Sequence, residues 1–173
     1  FVTDSAAAAT ALATGHATNN GMLAQSPEAV AFLTALELAK AQGKRTGIVV
    51  TDAVTGATPA AFYAHTNNRA DQAAIAEQAA NSGIDVLFGG GWGWFVPQST
   101  EGSKRSDDKN LAATVPSQRK VIYTEIEFHS LGAPTVITGL FAPSILPPAK
   151  YRNPSLPEMT QKAINILATT SGK

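Results

Sequence analysis

With 173 residues, 13 Lys+Arg against 13 Asp+Glu and a formal net charge of zero, the chain has room for one domain with a core of its own. Hydrophobic residues make up 44% and charged ones 15%, against roughly 25% charged in an average soluble domain, which excludes disorder over most of the length. There is no basic run of the kind that binds nucleic acid and no apolar stretch near the ~20 residues that span a bilayer. The absence of cysteine removes disulfides, thiolate metal sites and a cysteine nucleophile.

The chain opens on a strand-like Phe1-Val2-Thr3, with neither an initiating Met nor a signal-peptide pattern, and stops at Lys173 directly after a helical stretch. It therefore reads as a piece of a larger mature protein. Ala6 to Thr14 is an alanine-rich helix with Gly15 placed to stop it. Ser26-Pro27-Glu28 combines an N-cap, a first-turn proline and a first-turn acid, and predicts a helix that Gly43 closes. Ala29, Phe32, Leu33, Leu36 and Ala39 would form its buried face. Thr46 to Thr51 is short, β-branched and apolar, as strands buried on both faces of a parallel sheet are.

Thr58-Pro59 repeats the N-cap and first-turn signal, and Arg69 to Ser82 is a further helix ended by Gly83. Asp85 to Phe88 reads as a strand running into Gly89-Gly90-Gly91, and Thr135 to Phe141 as another. Residues 98–110 are polar and lack apolar periodicity, which predicts a surface loop. Ser155-Leu156-Pro157-Glu158 is a capping box that opens a last helix through Leu167. Alternating strands and helices predict an α/β fold, a mostly parallel sheet flanked by helices. No linker divides the chain, so residues 1–173 are expected to form a single, incomplete domain.

Chemistry could begin at Asp4-Ser5, where an extended entry meets the alanine-rich helix. Backbone N–H groups and partial positive charge gather at a helix start and suit a phosphate or a developing oxyanion. On spacing alone, however, Asp and Ser there are ordinary N-caps. His65 reads as a structural histidine, and His16 and His129 as surface or packing residues. Gly89 to Gly93 lacks the G-K-[ST] ending of a phosphate loop and reads as a strand-ending turn.

Several segments carry a family resemblance. Val2-Thr3-Asp4-Ser5-Ala6-Ala7-Ala8-Ala9-Thr10-Ala11, followed by Thr14-Gly15 and Asn20-Gly21, resembles the nucleophile segment of the alkaline phosphatases. Ala57-Thr58-Pro59-Ala60-Ala61, Ala64-His65 and Arg69 are similar to a second motif of that family. Asp85 to Gly91, Gly139-Leu140-Phe141 with Pro147, and Met159-Thr160-Gln161-Lys162-Ala163-Ile164 resemble three more, in the same order.

The resemblance implies hydrolysis of phosphate monoesters through a phosphoserine intermediate, at alkaline pH and with broad specificity. Ser5 would be the nucleophile, Arg69 would hold two phosphate oxygens, and Asp4 would orient Arg69. A guanidinium suits that task, because its paired donors match phosphate oxygens and it keeps its charge. Thr58 would be one ligand of a magnesium ion that, with two zinc ions, makes up the family's metal cluster. Gly56 stands where many relatives carry Asp or His beside that magnesium, and most metal ligands would lie outside this chain. The partners implied are the phosphomonoester and inorganic phosphate, with no nucleic acid and no membrane span. By analogy the family also implies a periplasmic or extracellular location and a homodimer.

Two alternatives stand beside this reading. A sulfatase relative would need Pro and Arg where Ala7 and Ala9 stand, and a phosphodiesterase relative would usually use Thr at Ser5. A truncated module that binds phosphate or a partner without turnover is the non-enzymatic alternative.

Overall fold

The computed structural model describes residues 2–114, 119–132 and 136–168, so Phe1, Thr135 and the Ser171 to Lys173 end lie outside the described residues. The chain divides into two compact units, Phe1–Lys44 with Thr55–Ser82, and Arg45–Val54 with Gly83–Lys173.

In the first unit, helix α1 spans Ser5–Thr14, capped by the Asp4 side chain and ended by Gly15 in the left-handed region at φ 76°. Its buried positions, Ala6, Ala7, Ala9, Thr10 and Ala13, are small, which lets a neighbouring helix approach closely. Thr10 Oγ1 donates to Met22 O at 3.2 Å and accepts from Ala24 N–H at 2.9 Å, tying α1 to the segment that follows it.

Residues 26–33 are not helical. Ser26 is spent on a turn, its hydroxyl accepting from the N–H groups of Glu28 and Val30, and Ala29 sits at φ 62°. Helix α2 covers only Ala35–Ala41 and starts at a different signal, the reciprocal capping box of Thr34 and Glu37. Thr34 wins because its hydroxyl also reaches Phe62 O at 2.7 Å while accepting from Glu37 N–H at 3.1 Å. Leu33 is consequently exposed, whereas Leu36 is buried.

Helix α3, Ala57–Ala60, packs on α1 and begins at Gly56, so Thr58 lies inside it rather than capping it. Helix α4, Gln72–Asn81, is capped by Asp71, whose carboxylate accepts from Ala74 N–H at 3.1 Å. The helix starts three residues after the predicted Arg69, because Asp71 offers the better cap. Arg69 instead occupies the turn before α4.

The second unit holds a parallel four-stranded sheet flanked by helices. Its strands are β1 (Gly47–Ala53), β2 (Val86–Gly90), β3 (Arg119–Ile122) and β4 (Val136–Leu140), in the order β1-β2-β4-β3. Every residue of β2 is buried, as in a parallel sheet covered on both faces. Strand β1 forms where predicted, but among the described residues it has β2 as its only partner, and its middle is half-buried.

Three helices follow in the chain, α5 (Leu111–Thr114), α6 (Glu125–His129) and α7 (Leu156–Ala168). Phe128 of α6 with Met159, Ala163 and Ile166 of α7 covers Val86, Phe88, Ile122 and Ile137 of the sheet in one apolar core. The predicted box opens α7: Ser155 Oγ donates to Glu158 Oε2 at 2.6 Å and accepts from Glu158 N–H at 3.4 Å. Arg45 fastens the base of this unit, donating to Asp85 at 3.4 Å and to Ile166 O at 2.6 Å.

The loop at 98–110 is polar, as predicted, yet Arg105 within it is buried. Its guanidinium grips Asp107 at 2.6 and 2.7 Å and donates to Trp94 O at 3.1 Å. The glycine run at the end of β2, Gly89 to Gly91, serves close backbone packing rather than an anion. Gly91 turns the chain at φ 98°, and the N–H groups of Gly91 and Trp92 both donate to Ala142 O. At Gly90 a Cβ would collide with the backbone carbonyl of Ser144. Gly90→Ala should therefore cost on the order of 3 kcal/mol, because backbone on both sides must move. Urea unfolding of the variant measures it, and an unchanged midpoint would contradict the packing.

Candidate active site

Four segments of the first unit converge on the start of α1. Asp4 ends the extended lead-in and caps the helix, Oδ1 accepting from Ala7 N–H at 2.9 Å. Its second oxygen, Oδ2, accepts from Gly21 N–H at 3.0 Å and from Arg69 Nη1 at 3.3 Å. The same Nη1 donates to Ser5 Oγ at 2.6 Å across 64 residues of sequence. Asp4, Ser5 and Arg69 are thus brought together, with Ser5 exposed at the positive end of the α1 dipole.

The hydrogen bond from Ala7 N–H, aided by those from Arg69 and Gly21 against the opposing effect of burial, holds the Asp4 carboxyl below its ordinary pKa of 3.8. Asp4 stays ionised at neutral and alkaline pH. What it adds to stability is present above that ordinary value and fades as pH falls through the lower folded value. Near Ser5 the arrangement brings together an exposed hydroxyl, a guanidinium and a helix terminus. A phosphate meeting the guanidinium there would gain charge-assisted, paired donors.

Thr58 is exposed on α3, where its hydroxyl is available as a hard oxygen donor of the kind Mg²⁺ prefers. Among the described residues no group of three or more His, Asp or Glu side chains could hold a metal ion. These residues do not fit a zinc centre by themselves, since zinc takes three or four such donors. His65 is committed elsewhere: Nδ1 lies 2.9 Å from Ala24 O, and Nε2 lies 2.9 Å from Glu37 Oε1. His16 stacks on Phe32 with centroids 4.5 Å apart, and His129 lies 3.6 Å from Glu125.

The turn at Asn20-Gly21 belongs to the site, a role that the sequence motif by itself does not show. Asn20 Oδ1 accepts from Asp4 N–H at 3.0 Å, and Asn20 Nδ2 donates to Val2 O at 3.2 Å. Gly21, at φ 86°, donates to Asp4 and accepts from Arg69 N–H at 2.8 Å. The signal was present in the Asn-Gly pair, but only the folded chain shows which backbone groups it meets. The strand expected at the start does not form among the described residues: Val2 to Asp4 are held by the Asn20 side chain instead.

Residues 1–172 match the family model "Alkaline phosphatase". An alkaline phosphatase of Schizosaccharomyces pombe is 37% identical, over 100% of this chain and 35% of its own length. The solved alkaline phosphatase of the Antarctic bacterium TAB5 superposes with a TM-score of 0.88 at 31% identity, over 98% of this chain and 48% of that one. A variant of the same enzyme with Mg bound in its M3 site superposes at 0.85, with 31% identity and the same coverage of 98% and 48%. This chain therefore spans between a third and a half of the length of these relatives.

Proposed function

Because the chain belongs to the alkaline phosphatase family, we propose that it carries the phosphoryl acceptor and phosphate clamp of a metal-dependent phosphomonoester hydrolase. The observation that supports this most is the 2.6 Å approach of Arg69 Nη1 to Ser5 Oγ, with Asp4 holding the same guanidinium. Ser5 Oγ attacks phosphorus, the bond to the leaving oxygen breaks, and the serine proton ends on the departing alcohol. Water then cleaves the phosphoserine, returning the serine and releasing inorganic phosphate. Arg69 orients two phosphate oxygens throughout, and Asp4 fixes Arg69.

Thr58 would contribute one oxygen ligand to a Mg²⁺, whose charge would favour the anionic phosphoryl group. Two zinc ions, export to the periplasm or the outside, and a homodimer are proposed on family grounds. The fold that carries the site is one incomplete domain in this reading. A module that binds phosphate without turnover is the second reading, since the Arg69 guanidinium beside the start of α1 suits phosphate binding by itself.

Acid-quenching of the full-length protein during turnover of a labelled phosphomonoester decides between them. Label on the peptide that contains Ser5 is expected, and label elsewhere, or none during turnover, overturns the assignment. For Arg69, losing a charge-assisted paired contact costs about 2–3 kcal/mol, or roughly 30- to 150-fold. Arg69→Ala should accordingly weaken inhibition by inorganic phosphate by that factor while leaving measurable turnover. Unchanged inhibition would remove Arg69 from the phosphate site.

A further inference from the structure

The geometry points to Asn20 as a positioning residue for the nucleophile, an inference that rests on Ser5 being the phosphoryl acceptor. In a parallel sheet, a residue lying beside Thr3 would donate its N–H to Val2 O and accept from Asp4 N–H. The Asn20 amide does both from one side chain, at 3.2 and 3.0 Å. It stands in for a strand partner along a segment that has none among the described residues. Only one orientation of the amide works, since a flipped group would set donor against donor and acceptor against acceptor.

The consequence is carried to Ser5 through one peptide bond. With Val2 O and Asp4 N–H fixed, the chain enters α1 along one path, and Ser5 Oγ stays 2.6 Å from Arg69 Nη1. Arg69 is anchored separately, its backbone N–H on Gly21 O at 2.8 Å and its guanidinium on Asp4. Asn20 therefore governs where the nucleophile sits more than where phosphate binds. Its side chain is exposed, so removing it empties no core.

Asn20→Ala and the near-isosteric Asn20→Leu test this in the full-length protein supplied with Zn²⁺ and Mg²⁺. Both should lower kcat for a chromogenic phosphomonoester by roughly 10- to 100-fold, the scale of an ångström of misplacement. Inhibition by inorganic phosphate should change less than about threefold, and the melting temperature by less than about 3 °C. In both variants the Asp4 amide should exchange hydrogen at least about tenfold faster than in the parent protein.

Unchanged kcat, equal losses in kcat and phosphate affinity, or an Asp4 amide unprotected in the parent protein would each overturn the role. Ser5→Ala, assayed alongside, separates the two ideas. If it is inactive while both Asn20 variants are fully active, only the role of Asn20 falls. If Ser5→Ala keeps full activity, there is no nucleophile to position and both fall.

Discussion

In the full-length protein, Ser5→Ala should reduce phosphomonoester turnover on the order of 10⁴-fold or more, the scale seen when a covalent nucleophile is deleted. The loss should come without unfolding. Ser5 is exposed, and the cap of α1 is Asp4, whose bond to Ala7 N–H the substitution leaves in place. Alanine is also the best helix former for the position Ser5 occupies, so stability should change by less than about 0.5 kcal/mol. Steady-state kinetics beside a thermal melt checks both halves. A folded variant that retains full activity would mean that the phosphoryl group is accepted elsewhere, despite the Arg69 contact at 2.6 Å.

A polypeptide of only these 173 residues should show no measurable phosphatase activity even with Zn²⁺ and Mg²⁺ added. A serine hydroxyl is a weak nucleophile until a base or a metal activates it. The contact that Ser5 makes is with a guanidinium, which donates a hydrogen bond and cannot take a proton. Among the described residues no cluster of His, Asp or Glu could hold a metal ion, and Thr58 offers a single hydroxyl. The comparison is with the Schizosaccharomyces pombe alkaline phosphatase at equal concentration. Activity within about tenfold of that relative would show that the missing activation is built from residues of this chain.

How much of this was legible beforehand depended on how local each cause is. Helix α1 could be read from alanines bounded by Asp4 and Gly15, and α7 from Ser155 and Glu158, because caps act within a turn of the helix they start. Strand β2 could be read because a strand buried on both faces of a parallel sheet is a near-continuous apolar run. Strand β3 could not. Arg119 and Lys120 break its apolar run, and Arg119 is tolerated inside because its guanidinium donates to Thr138 Oγ1 and to the Ile84 carbonyl. The helix expected from Ser26 failed for a similar reason, since the competing cap at Thr34 also bonds Phe62, 28 residues away.

Apart from the family resemblance that singled out Ser5, Arg69 and Asp4, the sequence by itself determined the alternation of helices and strands and the parallel class of the sheet. Those follow from propensity, periodicity and short motifs, all of which act over a few neighbouring residues. Tertiary structure decided the order β1-β2-β4-β3, the trimming of α2 and α4, and the convergence of Asp4, Ser5, Asn20, Gly21 and Arg69. Strand order rests on pairings such as Val86 with Ile137, and the site on a contact that spans 64 residues. Such contacts form when distant segments meet around a shared core, where one donor or acceptor finds the partner that leaves fewest buried groups unsatisfied.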